Sequence, residues 1–256
     1  ACDLVVLNSE AEVVPLDPDR GSAGVGVRFE GANVAKTAGG DATLTLNSAR
    51  TILVAGSKIG STSGALHLDM NADAKGAPLP ETLPIQQSGE SSSGGSVLVA
   101  LSTIETNGGR IHAYGQSDAV NGRAVGFAVE STGLADPNGV SIQDSLLSSC
   151  AVGQATCSGG GEISQRGQGT TIRVEGALAQ SGIGVGVHSS VLRTGSGNIA
   201  LDGRGGVGAS GVRVDDSSRL YRPSLESTSG NVTIRGSTRG WTNPAGGVLP
   251  DSPRHL

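Results

Sequence analysis

The amino-acid sequence predicts an all-β protein, a right-handed parallel β-helix built as a three-sided solenoid of roughly seven coils with about 27 residues in each. Three observations predict this fold. Apolar residues recur at fixed offsets, Gly supplies 42 residues while aromatic residues make up only 2 % of the chain, and Val, Ile and Leu occupy most of the recurring positions. Stacked coils bury aliphatic rows and need little aromatic volume, so composition and periodicity indicate the same architecture.

The repeat consists of five apolar positions at offsets of about 0, 2, 7, 14 and 16 residues. The segments that match all five positions are Ile52, Val54, Ile59, Leu66 and Leu68; Val97, Val99, Ile104, Ile111 and Ala113; and Val185, Val187, Leu192, Ile199 and Leu201. A further segment matches if an insertion of about six residues is allowed before the third position. Its members are Val212, Val214, Leu225, Val232 and Ile234.

The first apolar pair of the repeat also recurs outside these segments. It is found at Val25 and Val27, and again at Val125. We therefore expect coil steps of about 27 residues from Val25 to Ile52, from Val97 to Val125, and from Val185 to Val212.

Each apolar pair predicts one short strand, because its two-residue alternation leaves one face buried. The single apolar position between pairs predicts a third strand in each coil. Gly, Ser and Asn fill the gaps where the chain must turn, as in Ser63-Gly64 and Gly195–Asn198. A helical solenoid is disfavoured, because β-branched residues dominate the repeat and no window shows a 3.6-residue apolar stripe.

The domain organisation follows from where the repeat begins, breaks and ends. We expect residues 1–20 to form an N-terminal cap or an irregular lead-in, residues 21–240 to form the β-helix, and residues 241–256 to form an irregular tail or cap. Two loops, 73–95 and 150–161, are predicted to be extruded from the coils.

The middle residues of two neighbouring apolar pairs, Leu53 and Leu98, face outwards in this arrangement, where solvent favours polar side chains. We expect the proline-rich loop to cover them with Leu79, Leu83 and Ile85.

Charge and hydropathy exclude two classes of partner. With 18 basic and 23 acidic residues the formal net charge is −5, which provides no basic field for nucleic acid. The sequence contains no run of about 18 consecutive apolar residues, so we expect no membrane insertion.

The cysteines indicate an oxidising compartment. Cys150 and Cys157 bracket a short Gly- and Ala-containing segment whose spacing fits neither a CxxC redox site nor a zinc knuckle, so the sequence predicts a disulfide between them. The alternative is two reduced thiols in a surface loop. The pairing of Cys2 stays open.

Few residues could carry chemistry. Asp215 and Asp216 are the candidate catalytic pair, because a glycosidase needs two carboxylates; the alternative is a solvated corner after a strand. His67 and His112 are the candidate metal ligands, because the repeat places both at the same outward position of successive coils. We expect neither catalysis nor a bound metal nor any cofactor, and an exposed polar row instead.

The repeats at 182–203, 211–214 and 227–236 alternate Gly, Ser and Asn with apolar residues, and the segment from 182 begins Gly-Ile-Gly-Val-Gly-Val-His. They resemble the repeats of filamentous-haemagglutinin-like adhesins over most of residues 21–240. The resemblance implies a large bacterial exoprotein exported by two-partner secretion, located outside the cell or on its surface, with a β-helical rod that serves adhesion or biofilm formation.

The expected function is therefore a rigid, non-catalytic adhesin segment with a host-cell or glycan receptor, which associates end to end or continues in a longer chain. Two alternatives stay open. Parallel β-helices also include polysaccharide lyases and hydrolases, and stacked coils can form self-assembling structural fibres.

Overall fold

The structure is a computed structural model of the 256-residue chain. It describes residues 5–7, 11–12, 25–48, 51–72, 96–116, 118–120, 123–125, 138–169, 171–174, 177–216 and 221–239. These residues form strands, turns and bends and contain no helix, so none of them belongs to a helix that could cross a membrane. The all-β class predicted from the sequence is confirmed.

Three parallel sheets make up the body of the protein. The first sheet contains, in stacking order, β3 (Val25–Glu30), β6 (Thr51–Ala55), β9 (Val97–Ala100), β14 (Val140–Gln143), β19 (Val185–His188) and β22 (Val212–Asp215). The second contains β4 (Asn33–Lys36), β7 (Lys58–Ser61), β10 (Thr103–Glu105), β15 (Leu146–Ser148), β20 (Val191–Thr194) and β23 (Ser224–Ser227). The third contains β5 (Ala42–Asn47), β8 (Leu66–Asn71), β11 (Ile111–Gln116), β16 (Ile163–Gln168), β21 (Ile199–Val207) and β24 (Val232–Arg239).

One strand from each sheet makes a coil, so the chain forms about six coils of a three-sided parallel β-helix, numbered one to six from the N-terminus. The predicted architecture is confirmed; its right-handed sense stays a prediction. Along the first sheet and the corner that follows it, residues in register on successive coils are separated by 25, 45, 43, 45 and 27 residues. The predicted period of about 27 residues therefore holds at the two ends, while the three middle steps contain insertions.

Six further strands of the described residues lie outside the coils. β1 (Val5–Leu7) pairs antiparallel with β4, and β2 (Ala11–Glu12) pairs antiparallel with β3. Two antiparallel hairpins follow the third sheet: β12 (Asp118–Val120) with β13 (Arg123–Val125), after coil three, and β17 (Thr171–Val174) with β18 (Ala177–Ser181), after coil four.

The predicted coil at Val125 is wrong. Val97 pairs with Val140, whereas Val125 pairs antiparallel with Asp118 in the hairpin. Val125 therefore belongs to an inserted hairpin although its spacing fits the repeat, and coil four begins at Val140. This difference accounts for six coils rather than the predicted seven.

The predicted step from Val25 to Ile52 also needs correction, whereas the step from Val185 to Val212 is confirmed. Val27 is the residue in register with Ile52, and Phe29 is in register with Val54. The inward pair therefore lies two residues further along the strand than predicted. The register also shifts by one residue just before this pair, where Val25 lies beside Thr51.

The core is a set of aliphatic rows inside the coils. The row through the second sheet aligns Ile59, Ile104 and Leu192 as predicted, with Leu147 between the last two. All four side chains are buried. Leu53 and Leu98 are stacked on the outer face as predicted and are also buried. The loop residues predicted to cover them, Leu79, Leu83 and Ile85, lie outside the described residues, as does the predicted tail from 241 to 256.

A row of buried serines lines the corner between the first and second sheets. The Ser57 N–H donates to Ser102 Oγ at 3.1 Å, the Ser102 N–H to Ser145 Oγ at 3.0 Å, and the Ser145 N–H to Ser190 Oγ at 3.0 Å. Each of these serines follows the second residue of an aligned apolar pair by three positions, so the sequence contained a signal for this corner. The hydroxyls satisfy backbone donors that the turn leaves without a strand partner.

The residue before each corner serine has a positive φ. It is Gly56 in coil two (57°), but Leu101 (52°), Asp144 (47°) and Ser189 (44°) in coils three to five. L-residues other than Gly adopt this region at a cost, so the corner geometry is imposed by the stacked coils.

Candidate functional site

Asp215, the first candidate catalytic residue, lies at the end of β22 in coil six. Its Oδ1 is 2.5 Å from Nδ1 of His188, the residue in register one coil below, and its Oδ2 is 2.5 Å from Nε of Arg213. Burial acts to raise the pKa of Asp215, but the hydrogen bonds and positive charges of His188 and Arg213 outweigh it and hold that pKa below its usual value. Asp215 is therefore a carboxylate that ties the last coil to its neighbour.

Asp216, the second candidate, is exposed and has a different partner. Its Oδ1 accepts a hydrogen bond from Ser189 Oγ at 3.1 Å. The two carboxylates thus bind separate groups of coil five. A glycoside hydrolase needs one carboxyl group with a raised pKa, which is opposite to the direction found at Asp215.

The sequence contained a signal for the His188–Asp215 pair. Both residues directly follow the second member of an aligned apolar pair, Val187 or Val214, so correct register alone brings them together. The sequence analysis predicted that Val187 lies beside Val214, but it did not predict that the next residues, His188 and Asp215, also lie side by side.

The predicted stacking of His67 on His112 is wrong. His67 is in register with Thr43, and His112 is in register with Asp69. β8 has three inward residues, Leu66, Leu68 and Met70, and Ile111 lies beside the second of them rather than the first. A shift of two residues keeps the same face of the strand buried, so apolar alternation alone does not distinguish the two registers.

Instead of a histidine pair, the outer face of the third sheet has an ionic cluster between coils two and three. Arg110 donates from Nε to Asp69 Oδ1 at 3.0 Å and from Nη2 to Asp69 Oδ2 at 2.6 Å, while the Arg110 N–H donates to His67 Nδ1 at 3.1 Å. Asp69 raises the pKa of Arg110 through this bidentate pair.

His112 borders the same cluster, with Nδ1 3.6 Å from Asp69 Oδ1. Burial is the main cause that lowers the pKa of His112, and Arg110 and Arg166 add to the effect, against the opposing charges of Asp69 and Glu162. Among the described residues, no group of three or more His, Cys, Asp or Glu side chains could hold a metal ion. The cluster therefore fits an inter-coil contact on a partly exposed face.

The predicted disulfide between Cys150 and Cys157 is present, with a Cα–Cα distance of 5.4 Å. It closes a loop between β15 and β16 at the corner leading to the third sheet. The loop folds back over the second sheet, where the Gly153 N–H donates to Glu105 Oε1 at 2.8 Å. A Cβ added at Gly60 would lie 3.3 Å from Val152 Cγ2. Val152 and Gln154 remain exposed, so this is a constrained surface loop.

Three exposed apolar side chains lie together in coil six, the last coil among the described residues. Val214, Val232 and Ile234 belong to the inward rows of coil six, yet they are 39, 45 and 44 % exposed. Their register partners in coil five, Val187, Ile199 and Leu201, are at most 1 % exposed. The sequence predicted these rows, and it predicted that the ends of the β-helix associate end to end or continue in a longer chain.

The fold defines the class of this chain as a three-sided parallel β-helical repeat protein. No family model, no curated protein and no solved structure matches it.

Proposed function

We propose that this chain is a rigid, non-catalytic segment of an extracellular or cell-surface bacterial adhesin that mediates attachment or biofilm formation. The observation that carries the proposal is the stacking of six parallel strands in each of three sheets. Backbone hydrogen bonds along all three sides resist bending, and such a rod presents its outer faces and loops to a partner rather than enclosing a substrate.

The disulfide supports a location outside the cytoplasm, because thiols persist as disulfides mainly in oxidising compartments. The disulfide loop, with exposed Val152 and Gln154, is a preorganised surface for a host-cell or glycan receptor. Its closure limits the conformations that binding would otherwise have to select.

The charge arrangement supports a non-catalytic role. The ion-paired side chains Asp69, Arg110, Arg213 and Asp215 bind one another within or between coils. The lowered pKa of Asp215 suits an ion pair and not a proton donor at neutral pH.

Adhesion is tested by immobilising the full chain and measuring retention of epithelial cells and binding to a broad glycan array. We expect saturable binding that Val152→Ser with Gln154→Ala weakens, because both side chains are exposed on the constrained loop. The matched control is Thr43→Ala, an exposed substitution on another face. Binding to neither cells nor glycans would contradict the proposal.

The lyase or hydrolase alternative is tested separately on a panel of acidic polysaccharides. Depolymerisation by the parent chain that is lost in Asp215→Asn and in Asp216→Asn would replace the adhesive proposal with a catalytic one. No turnover across the panel is the expected result.

A self-assembling fibre is the second candidate, and the exposed apolar residues of coil six favour it. Electron microscopy of the purified chain is the direct test. Unbranched fibres that lengthen with concentration would support the fibre over the isolated adhesin segment.

A further inference from the structure

A row of buried hydroxyl groups lines the corner between the second and third sheets. Its members follow the inward aliphatic residues of the second sheet by two positions, and they are Ser61, Thr106, Ser149, Thr194 and Ser227. The first four are at most 2 % exposed, so their hydroxyl groups need hydrogen-bond partners inside the protein. In four of the five coils the partner is a backbone carbonyl of a turn that leads to the third sheet.

The hydroxyl row changes the direction of its hydrogen bonds along the β-helix. In coil three, Thr106 Oγ1 donates at 2.6 Å to the carbonyl of Gly109, which belongs to the same coil. In coil five, Thr194 Oγ1 donates at 3.0 Å to the carbonyl of Gly161, which belongs to coil four. The outer coils follow their neighbours: Ser61 donates to Gly64 within coil two, and Ser227 of coil six donates to Gly197 of coil five. The direction therefore reverses at coil four.

Ser149 lies in coil four, where the two directions meet. The carbonyl of Gly109 in coil three accepts from Thr106, and the carbonyl of Gly161 in coil four accepts from Thr194. Ser149 is completely buried, and its Oγ has no hydrogen-bond partner among the described residues. A buried hydroxyl without a partner costs free energy, so this one indicates a bound group that supplies the hydrogen bond.

Two further polar atoms converge with Ser149 Oγ beside Gly160, near the end of the disulfide loop. A Cβ added at Gly160 would lie 2.6 Å from Ser149 Oγ and 2.7 Å from Thr194 Oγ1. The same point is 3.0 Å from the backbone N of Gly195. The two hydroxyl oxygens are this close to one point but do not bond to each other, so a single small molecule can bridge them.

The donors and acceptors around this point fit a water molecule. The Thr194 hydroxyl donates its proton to Gly161, so its oxygen is an acceptor here, whereas the Ser149 hydroxyl and the Gly195 N–H are donors. Water both donates and accepts, and a buried water makes about three hydrogen bonds to the protein. A metal cation is disfavoured, because it would lie beside an N–H donor and needs about six oxygen ligands.

We propose that one buried water molecule is an integral part of the structure at this position, bound by Ser149, Thr194 and Gly195. Ser149 directly precedes the disulfide loop, and Gly160 lies near the end of the loop, so the water lies where both ends of the loop meet coil five. Ser149 is therefore a positioning residue that fixes the base of this loop together with the disulfide. The inference is independent of adhesion and holds whether or not the loop binds a receptor.

The direct test is a high-resolution crystal structure of the full, oxidised chain and of two variants at Ser149. We expect a peak of electron density within hydrogen-bond distance of both Ser149 Oγ and Thr194 Oγ1. Ser149→Ala should remove the peak, because the donor is lost. Ser149→Thr should retain it, because it keeps the hydroxyl and the corresponding residues of coils three and five are Thr106 and Thr194.

Hydrogen exchange of the same three proteins in solution measures the effect on the disulfide loop. In Ser149→Ala the backbone amides of residues 151–159 should exchange about three- to tenfold faster, which corresponds to the loss of one hydrogen bond. Ser149→Thr should match the parent. The amides of β9, on another side of the β-helix, should exchange at the same rate in all three proteins and so show that each variant is folded.

Three results would overturn the proposal. The first is a parent structure with no electron density between the two hydroxyl groups. The second is a peak surrounded by oxygen ligands at the distances and in the number typical of a cation, which would identify a metal ion instead. The third is a Ser149→Ala variant with a higher Tm and unchanged exchange in the loop, which would show that the Ser149 hydroxyl has no partner at all.

Discussion

Coils three and six contain the same repeat but differ in what covers them. Ile104 and Ile111 of coil three are fully buried between neighbouring coils, while Val232 and Ile234 of coil six are nearly half exposed although they occupy inward positions. The same apolar pattern therefore forms a core in one place and an accessible surface in the other. The difference teaches that burial in a solenoid comes from the neighbouring coil, so a coil without a neighbour is incomplete.

The largest expected effect contrasts one isoleucine in each region. Ile104→Ala should lower the free energy of unfolding by about 3 kcal/mol, because it removes a fully buried side chain and leaves a cavity. Ile234→Ala should lower it by less than about 1 kcal/mol, since that side chain is 44 % exposed. Urea unfolding of both variants measures the two values, and equal losses would contradict the comparison.

A second prediction concerns a polar residue in the buried part of an inward row. Gln165 is completely buried, with 0 % of its surface exposed. Its side-chain amide N and O have no hydrogen-bond partner among the described residues. Gln165→Leu should raise the free energy of unfolding by about 1–2 kcal/mol, because an unsatisfied buried amide is removed. Ile234→Gln places an amide in the same row in coil six, and it should change the free energy of unfolding by less than Gln165→Leu does. A Gln165→Leu variant that is less stable than the parent would show that the amide of Gln165 is satisfied.

A third prediction concerns the corner between the first and second sheets. Leu101 has a φ of 52° and is 61 % exposed, so its side chain contributes strain and little burial. Leu101→Gly should raise the free energy of unfolding by about 0.5–1 kcal/mol. The substitution removes the cost of a left-handed conformation at a residue with a Cβ, and the greater flexibility of Gly in the unfolded chain offsets part of that gain. Leu98→Gly is the control, and it should destabilise because Leu98 is buried in a strand.

The smallest expected effect is the pH dependence of coil six. Burial acts to raise the pKa of Glu226, but its hydrogen bonds with Arg193 and Ser224 and the Arg193 charge lower that pKa overall, and the pKa of Asp215 is lowered in the same way by His188 and Arg213. Because both folded-state pKa values lie below the unfolded ones, the stabilisation is complete above the unfolded values and is lost as pH falls through the folded values.

The expected size is a few tenths of a kcal/mol for each pair, because these side chains are partly exposed. Asp215→Asn with Glu226→Gln should therefore be slightly less stable than the parent near about pH 5. The difference should vanish once the pH has fallen below the folded-state pKa values of the two carboxyl groups. A difference that persists at the lower pH would assign the loss to something other than charge.

The sequence predicted the aliphatic rows because each row is a local pattern that repeats. Ile59, Ile104 and Leu192 align as expected, and Cys150 pairs with Cys157 because both belong to one short loop. These features depend on residue type and on short spacings, which are visible in the chain itself.

The sequence did not predict which residues of neighbouring strands stand side by side. In β8 any two of three alternating apolar residues fit the repeat, and the choice is made by the turn before β11, where Gly109 lies against the backbone of Leu66 and a Cβ at Gly109 would collide with it. The contact of Asp69 with Arg110, and the separation of His67 from His112, follow from that turn. The wrong prediction of a coil at Val125 arose from an insertion, since the hairpin that contains Val125 has an apolar residue at the spacing expected of a coil.

The hairpins after coils three and four leave the rod at the same corner, and β13 contacts β17 of the next hairpin. Despite these insertions, the chain re-enters in register at Val140 and again at Val185. The β-helix therefore accommodates inserted segments at one corner while the pairing of its coil strands is unchanged. The coils maintain the shape of the protein, and the inserted segments can vary. Loops of different length and chemistry can therefore be exchanged along that edge, and a single solenoid can carry an array of them at positions fixed by the spacing of its strands.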